Sequence, residues 1–525
     1  RWADVTGCEV YEGYGLTETS PVVSLNTGYK DDAGRKLGYI GVVAPSTEIK
    51  VVNNEGESLP CNQEGELCVR GPQVMQGYWQ QPEKTAEVLS DDGGFATGDI
   101  AFVDEQGFPK IVDRKKYPKL NSDFNTDWLI VGCGLTGLSA LNQLKKYKVH
   151  HKISIVDAGR IGQGSSSRNS GFLVDSTLNN GSTSISNLKD YKKKYALNLA
   201  GMSELRTIIK ENEINCDWSE DGKFHASANK REFYKLERFG NLLRNAGVPF
   251  KELHEDELNL LLGTSFYKYA IKTHGGVLLN PQKLVQGFIK KIDENINIFE
   301  NTKIIKFSTK NDLLAITADG FKISAKKIIV AVNSELPSLN IKKYCSLPLI
   351  LTSSITRNLT QEEQSLIGNP LPWGVLSVKP TGATVRYTND NRILIRNTSS
   401  PFKISKKVSS ENKNLHREGL KKRFPMLKNL SFENSWSGMI SVSSNGNPLF
   451  GNIKEKIFYA GVFNGGGLGL SVLYGAAMID SALKISNTRL KIVEEYPQAN
   501  LLPPLPKIAA FLRIKLDKIF GSNET

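Results

Sequence analysis

No run of eighteen or more uncharged apolar residues occurs in the 525-residue chain, and its start at Arg1 shows no basic segment followed by an apolar one. A spanning helix and a secretory leader are therefore not indicated, and the expected location is cytoplasmic. With a first residue of Arg rather than Met, the sequence is expected to be a piece of something longer. Histidine and cysteine are scarce, at six each. The cysteines (Cys8, Cys61, Cys68, Cys133, Cys216, Cys345) form no C-x-x-C pair and the histidines no H-E-x-x-H. This argues against a metal site and a disulfide framework. Basic clusters interleaved with aromatics are also missing, so the lysines behind the net charge of +13 read as solvated helix faces and no nucleic-acid partner is expected.

Apolar and charged fractions are those of an ordinary globular protein long enough for two or three domains. Charge is divided unevenly. Residues 1–120 carry 12 Lys and Arg against 19 Asp and Glu, and residues 121–525 carry 55 against 35. Lys, Asn and Ile become abundant after Asn121, so a boundary is expected there.

The first part reads as short β-rich stretches with turn signals. Three clusters in it can carry chemistry. Tyr14-Gly15-Leu16-Thr17-Glu18-Thr19-Ser20 joins a glycine turn to hydroxyls and a carboxylate, groups that suit a phosphate and its hard cation. Thr97-Gly98-Asp99 offers a carboxylate to ribose hydroxyls, and Ile111–Lys116 ends in Asp113-Arg114-Lys115-Lys116. With Gly65-Glu66-Leu67 and Gly77-Tyr78-Trp79, their order resembles the acyl-CoA synthetase family of adenylate-forming enzymes, closest to the long-chain fatty acid ligases, over residues 1–117. The resemblance implies Thr17 at the phosphates, Glu18 at Mg²⁺, Asp99 on the ribose and Arg114 near the ribose at the hinge. Nothing matches the family's phosphate loop, and after Lys116 no domain with a catalytic lysine follows. The expected state of this nucleotide site is vestigial, without ligase activity.

After a linker at 118–126, Trp128-Leu129-Ile130-Val131 reads as a buried strand. Gly132, Gly134 and Gly137 follow in G-x-G-x-x-G spacing, then a helical pattern through Leu138, Leu141 and Leu144. A second strand, Ile153–Val156, ends in Asp157. A glycine triplet alone is a common turn; strand, helix, strand and acid in this order are what a dinucleotide requires. FAD and NAD both fit at this point. Further on, Arg160–Phe172 is rich in small residues and arginine, and Gly461–Leu470 is a glycine-rich turn opening an apolar helix, whose free N–H groups suit an anionic reduced flavin.

These features resemble the D-amino-acid-oxidase-like family of FAD-dependent oxidoreductases over about 127–490. The R-I-G-x-G-S-S-S-R-N-S-G stretch looks most like the gamma-glutamylputrescine oxidoreductase branch. The resemblance implies an α/β and α+β architecture: a Rossmann-like FAD-binding domain (about 127–180, 275–340 and 440–490) with a mixed-sheet substrate domain (181–274 and 341–439). An N-terminal β-rich fragment of an adenylate-forming enzyme precedes it, and a tail helix lies within 491–525. It places Gly132, Gly134, Gly137, Asp157 and Arg160 on the ADP half. Arg168, Asn169 and Gly171 fall along the pyrophosphate or ring, Ile304 at adenine through its backbone, and Gly465, Gly466 and Gly467 at the pyrimidine side of the flavin. Relatives that attach flavin do so through a cysteine near the position of Met439; none is present, so FAD is expected to be non-covalent. Many relatives have His where Gly466 stands, and Cys345 is read as structural.

The implied reaction oxidises a small-molecule amine or amino acid, with oxygen or another electron acceptor. Arg386 and Tyr387 are the substrate-side candidates, with Trp436 as an apolar wall. The basic amphipathic tail Ile508–Phe520 is read as docking on its own domain in preference to a membrane surface. Oligomeric state is left open.

Overall fold

Strands that are apolar at every position, rather than at every second one, belong in a sheet covered on both faces. The second half of the Phe124–Val131 strand meets that condition: Trp128 and Ile130 enter one core, Leu129 and Val131 the other. The computed structural model describes residues 11–26, 36, 38–53, 56–90, 92–111, 117–178, 187–220, 222–310, 312–379, 382–401 and 408–520, the last few by backbone only. The chain forms two units, Arg1–Lys116 and Tyr117–Thr525.

In the second unit, Phe124–Val131 lies at the centre of a sheet. It is parallel to Ile153–Val156 on one side and to Lys322–Val330 on the other. Asn297–Phe299 extends the first side in parallel. Lys322–Val330 has its other edge shared by two strands, antiparallel Leu314–Thr317 near its start and parallel Ile457–Gly461 near its end. The helices Leu135–Lys146 and Gly467–Leu483 cover one face. The latter is buried over nearly all of its length, as its largely apolar composition requires. Ser139 Oγ donates to Val472 O at 2.7 Å, which ties the two helices together.

A second sheet of eight strands runs in the order 250–254, 269–273, 223–227, 373–377, 384–387, 393–400, 347–356, 432–442. Its strands are antiparallel except for the parallel pair Lys223–Ser227 and Trp373–Ser377. The Rossmann-like domain with a mixed-sheet partner is therefore present as expected. The 118–126 stretch, expected as a linker, is anchored in this unit: Leu120 is buried, its N–H donates to Thr302 Oγ1 at 3.1 Å, and the strand begins at Phe124. Polar anchoring to residues far along the chain is invisible in a stretch without periodicity.

The first unit contains a three-stranded sheet and a four-stranded antiparallel meander, Glu48–Val52, Gly65–Arg70, Phe95–Val103 and Pro109–Ile111. Its core cluster is small, comprising Val23, Val51, Leu67, Val69 and Ala101. Among the described residues no single helix is long and apolar enough to cross a membrane.

Candidate active site

The glycine turn after Val131 is shaped by packing. A Cβ on Gly137 would overlap the carbonyl oxygen of Gly132 and touch Ile130, so only glycine lets this helix lie against its strand. Gly134 is the residue before the helix starts, and the Leu135 N–H at that start is taken by Ser166 Oγ at 3.0 Å. Asp157 follows the second strand. Its carboxylate accepts the Cys133 N–H at 2.8 Å and the Gly159 N–H at 2.9 Å. Burial raises the Asp157 carboxyl above its ordinary pKa, against the lowering effect of those two N–H groups. The acid is thereby fixed beside the turn. Arg160 lies three residues on, next to Ile161, whose N–H donates to Glu300 Oε1 at 2.7 Å. Ile304 begins a strand two residues after Thr302, whose N–H donates to Asp157 O at 2.7 Å.

Residues 165–171 fold back on themselves. Asn169 Nδ2 donates to Ser166 O at 2.8 Å, and Asn169 Oδ1 accepts the Gly171 N–H at 2.9 Å. Gly171 has φ of +76°, and a Cβ there would overlap Leu279 O and the Arg386 guanidinium. From this loop a cavity of about 310 Å³ opens, reaching the 463–468 turn, the second sheet and the helix Leu188–Glu211. Of the residues expected to hold FAD, Arg168, Asn169, Gly465, Gly466 and Gly467 line it, as does Leu135 at the helix start. Gly132, Gly134, Gly137, Asp157, Arg160 and Ile304 lie behind that start, off the cavity, and Gly171 lies beneath the loop. A dinucleotide needs this division, with its ring in a cavity and its ribose at an acid beyond a helix N-terminus.

The three substrate-side candidates are not brought to the cavity. Arg386 is buried and donates through Nη1 to Ser170 O at 3.0 Å and Leu279 O at 2.6 Å. It braces the 165–171 loop from beneath. Tyr387 is buried between layers with its hydroxyl on Asn391 Oδ1 at 2.9 Å, and Trp436 donates from Nε1 to Arg168 O at 3.0 Å. By strand alternation Arg386 lies on the same side of the sheet as Thr384, but its guanidinium ends on backbone carbonyls.

Residues missed by sequence reasoning line the cavity on the second sheet and the Leu188–Glu211 helix. Arg396 and Thr384 sit opposite each other on adjacent strands, and Arg396 Nη2 donates to Thr384 Oγ1 at 2.7 Å and Gly382 O at 3.0 Å. Burial pulls the Arg396 pKa down to about 10 and that of Lys194, on the helix, to about 8. His225, on the same sheet, is held neutral, with a pKa of about 3, chiefly by burial and then by nearby Lys223. A charge directly after the apolar run Ile393–Ile395 was the available signal for Arg396; Lys194 was hidden in the Lys192-Lys193-Lys194 run. Met439 lines the cavity, and no cysteine does among the described residues. Cys345 is buried in the core, away from it.

In the first unit, Tyr14 Oη donates to Asp99 Oδ2 at 2.6 Å and Tyr78 Oη to Glu18 Oε1 at 2.9 Å. Thr17 is exposed beside Glu18. Arg114 lies outside the described residues.

Fold and cavity together define a flavoprotein oxidoreductase. Residues 127–481 match the family model described as FAD dependent oxidoreductase (DAO), and the chain belongs to that family. Solved structures of similar fold include glycine oxidase from Geobacillus kaustophilus (TM-score 0.60, 20% identity, covering 70% of this chain and 96% of that one). Another is L-proline dehydrogenase from P. horikoshii (TM-score 0.57, 18% identity, 71% and 96%). Residues 1–79 match the model of AMP-binding enzymes. A long-chain-fatty-acid–CoA ligase of Escherichia coli O6:H1 is 51% identical over 125 residues, which are 24% of this chain and 22% of the ligase. The chain thus spans about a fifth of the length of the curated relatives it matches.

Proposed function

We propose that residues 127–490 oxidise the C–N bond of an amine or amino acid. The observation that carries this reading is the cavity, which joins the flavin-side loops to a polar wall on the second sheet. The turn at 132–137 and Asp157 would hold the ADP half, the 165–171 loop the pyrophosphate, and the 465–467 turn the flavin. Bound FAD would supply the acceptor for a hydride from the carbon bearing the amine, leaving an imine that water hydrolyses. The protein's share is to bind the amine, keep it over the ring and limit water, with Arg396 and Thr384 as orienting groups and Arg386 positioning the loop. FAD is proposed to be non-covalent, since Met439 offers no thiol to the cavity. Glycine oxidase and L-proline dehydrogenase, by their names, act on amino acids. The stretch beginning at Arg160 adds gamma-glutamylputrescine to the substrates to be tried.

We further propose that residues 1–117 do not ligate. Glu18 and Asp99 end on tyrosine hydroxyls of their own unit, and beyond Lys116 the chain enters the flavin unit. The test is the visible spectrum of the purified protein before and after anaerobic addition of glycine, sarcosine, proline, glutamate and gamma-glutamylputrescine. A flavin spectrum bleached by one of them supports the oxidase, with acid release of the flavin marking it non-covalent. A protein that stays colourless after incubation with FAD refutes it. ATP–pyrophosphate exchange with a fatty acid should be absent.

A further inference from the structure

Four cationic side chains line the cavity, Arg168, Lys194, Lys379 and Arg396, and no carboxylate does among the described residues. Two of the four have evident duties. Lys379 is paired with Glu232 at 3.3 Å. Arg168 belongs to the loop that the flavin phosphates would approach. The other two lack a counter-charge. Lys194 is 5% exposed; its Nζ lies 5.8 Å from the Tyr496 ring centroid, and it has no hydrogen bond or ion pair among the described residues. Among the described residues Arg396 donates only to neutral acceptors, Thr384 Oγ1 and Gly382 O, through Nε and Nη2, which leaves Nη1 for a ligand. His225 adds a buried Nδ1 with no partner. His225, Leu376, Thr384 and Arg396 form one row across four strands in register, so the polar groups share the sheet wall.

Burying an ammonium without an anion is expensive, and a cavity holding two such charges is arranged for negative charge from outside. One carboxylate neutralises one of them. A polyamine would add repulsion.

We propose that Arg396 and Lys194 form an anion subsite on the substrate side of the cavity, and that the amine oxidised there carries two carboxylates. The preferred class is dicarboxylic amino acids and dicarboxylic secondary amines, over monocarboxylic amino acids and polyamines. Arg396 presents its fork to one carboxylate and Lys194 its point charge to the other. His225 donates or accepts at the same wall as a neutral group. This assignment rests on the oxidase reading for its substrate but not for its anion.

Glutarate, which has no amine to oxidise, separates the two. Titrated into the holoprotein and followed by the flavin spectrum and by calorimetry, it should bind at least tenfold more tightly than butyrate. Arg396→Met and Lys194→Met should each weaken glutarate at least tenfold with unchanged flavin content. Arg396→Lys, which keeps the charge, should lose less. Equal affinity for glutarate and butyrate overturns the subsite, as does glutarate binding insensitive to all three substitutions. In anaerobic bleaching, iminodiacetate, aspartate or glutamate should outpace glycine and putrescine. Faster bleaching by putrescine overturns the subsite while the oxidase reading stands. Tight glutarate binding with no amine bleaching the flavin supports the subsite and sinks the oxidase reading.

Discussion

The two units each carry an acid that resemblance places on a ribose, and they hold it differently. Asp99 in the first unit ends on a side chain, the Tyr14 hydroxyl. Asp157 in the second ends on the backbone, at the N–H groups of Cys133 and Gly159. Their ion pairs differ in the same sense. Lys36 and Asp104 of the first unit are 33% and 8% exposed, whereas Lys223 and Asp175 of the second are 0% and 1% exposed. The first unit also leaves Trp79 86% exposed. Around its five-residue core cluster the first unit leaves at least one member of each ion pair partly exposed among the described residues; the second, with several interlocking cores, buries both members of the Lys223–Asp175 pair.

The largest effect that would test this contrast is on Lys223. It also donates to Ser176 O, and Asp175 accepts from Thr273 at 3.3 Å. Burial works to raise the Asp175 carboxyl, and the Lys223 ammonium overrides it and holds the carboxyl below its ordinary value. Lys223→Met strands that carboxylate, and a loss of about 3–5 kcal/mol is expected in denaturant unfolding of the second unit. Lys223→Met combined with Asp175→Leu should recover most of it. An undiminished midpoint in the single variant would show that water reaches the pair.

Next in size is a pH effect. His416 is buried with Nδ1 on Ser354 Oγ at 2.6 Å, and burial drops its pKa to about 4. A histidine whose folded pKa lies below its unfolded value of about 6.5 contributes stability that is complete above about pH 6.5. That contribution is lost as pH falls toward 4, on the order of 3 kcal/mol for this residue. Melting temperatures of the second unit should fall across that window, and His416→Gln should flatten the slope.

Third is the glycine turn. Gly137→Val places a branched side chain against Gly132 O and Ile130. Overpacking of about 1–3 kcal/mol corresponds to roughly ten- to a hundredfold in FAD affinity, read as flavin retained after gel filtration. Asp99→Ala in the first unit should leave flavin content unchanged.

The elements most legible in the sequence were those where one requirement governs several residues. The Trp128–Val131 strand, its glycines and Asp157 had to appear in order, and they do. Arg168 and Asn169 were singled out in a stretch of small residues and arginine, and the 465–467 turn as a glycine-rich helix start, with their roles implied by the family resemblance; all of them line the cavity. The wall of the cavity on the second sheet was not legible. Arg386 was chosen and Arg396 passed over, though both lie on neighbouring strands of one sheet. Which arginine meets backbone and which meets the cavity depends on Gly171 and Leu279, over a hundred residues away along the chain. Lys194 is on the cavity because its helix crosses the Gly467–Leu483 helix where Gly201 meets Gly469. No local pattern encodes that crossing.

The smallest predicted effect returns to the pair with the partly exposed lysine. Burial works to raise the Asp104 carboxyl, while its hydrogen bond with Lys36 and the N–H groups of Phe108 and Gln106 together hold it below its ordinary value. In Lys36→Met those two N–H bonds persist, and solvent reaches the vacated side of the pair. The carboxylate therefore stays charged and hydrogen-bonded, and the cost in unfolding of the first unit should be about 1 kcal/mol or less. The same carboxyl makes the pair's contribution full above the unfolded carboxyl pKa of about 4, and protonation removes it as pH falls below that value. A loss as large as that expected for Lys223→Met would mean that exposure of the lysine is a poor guide to how strongly water screens it, and the contrast between the units would fail at its simplest point.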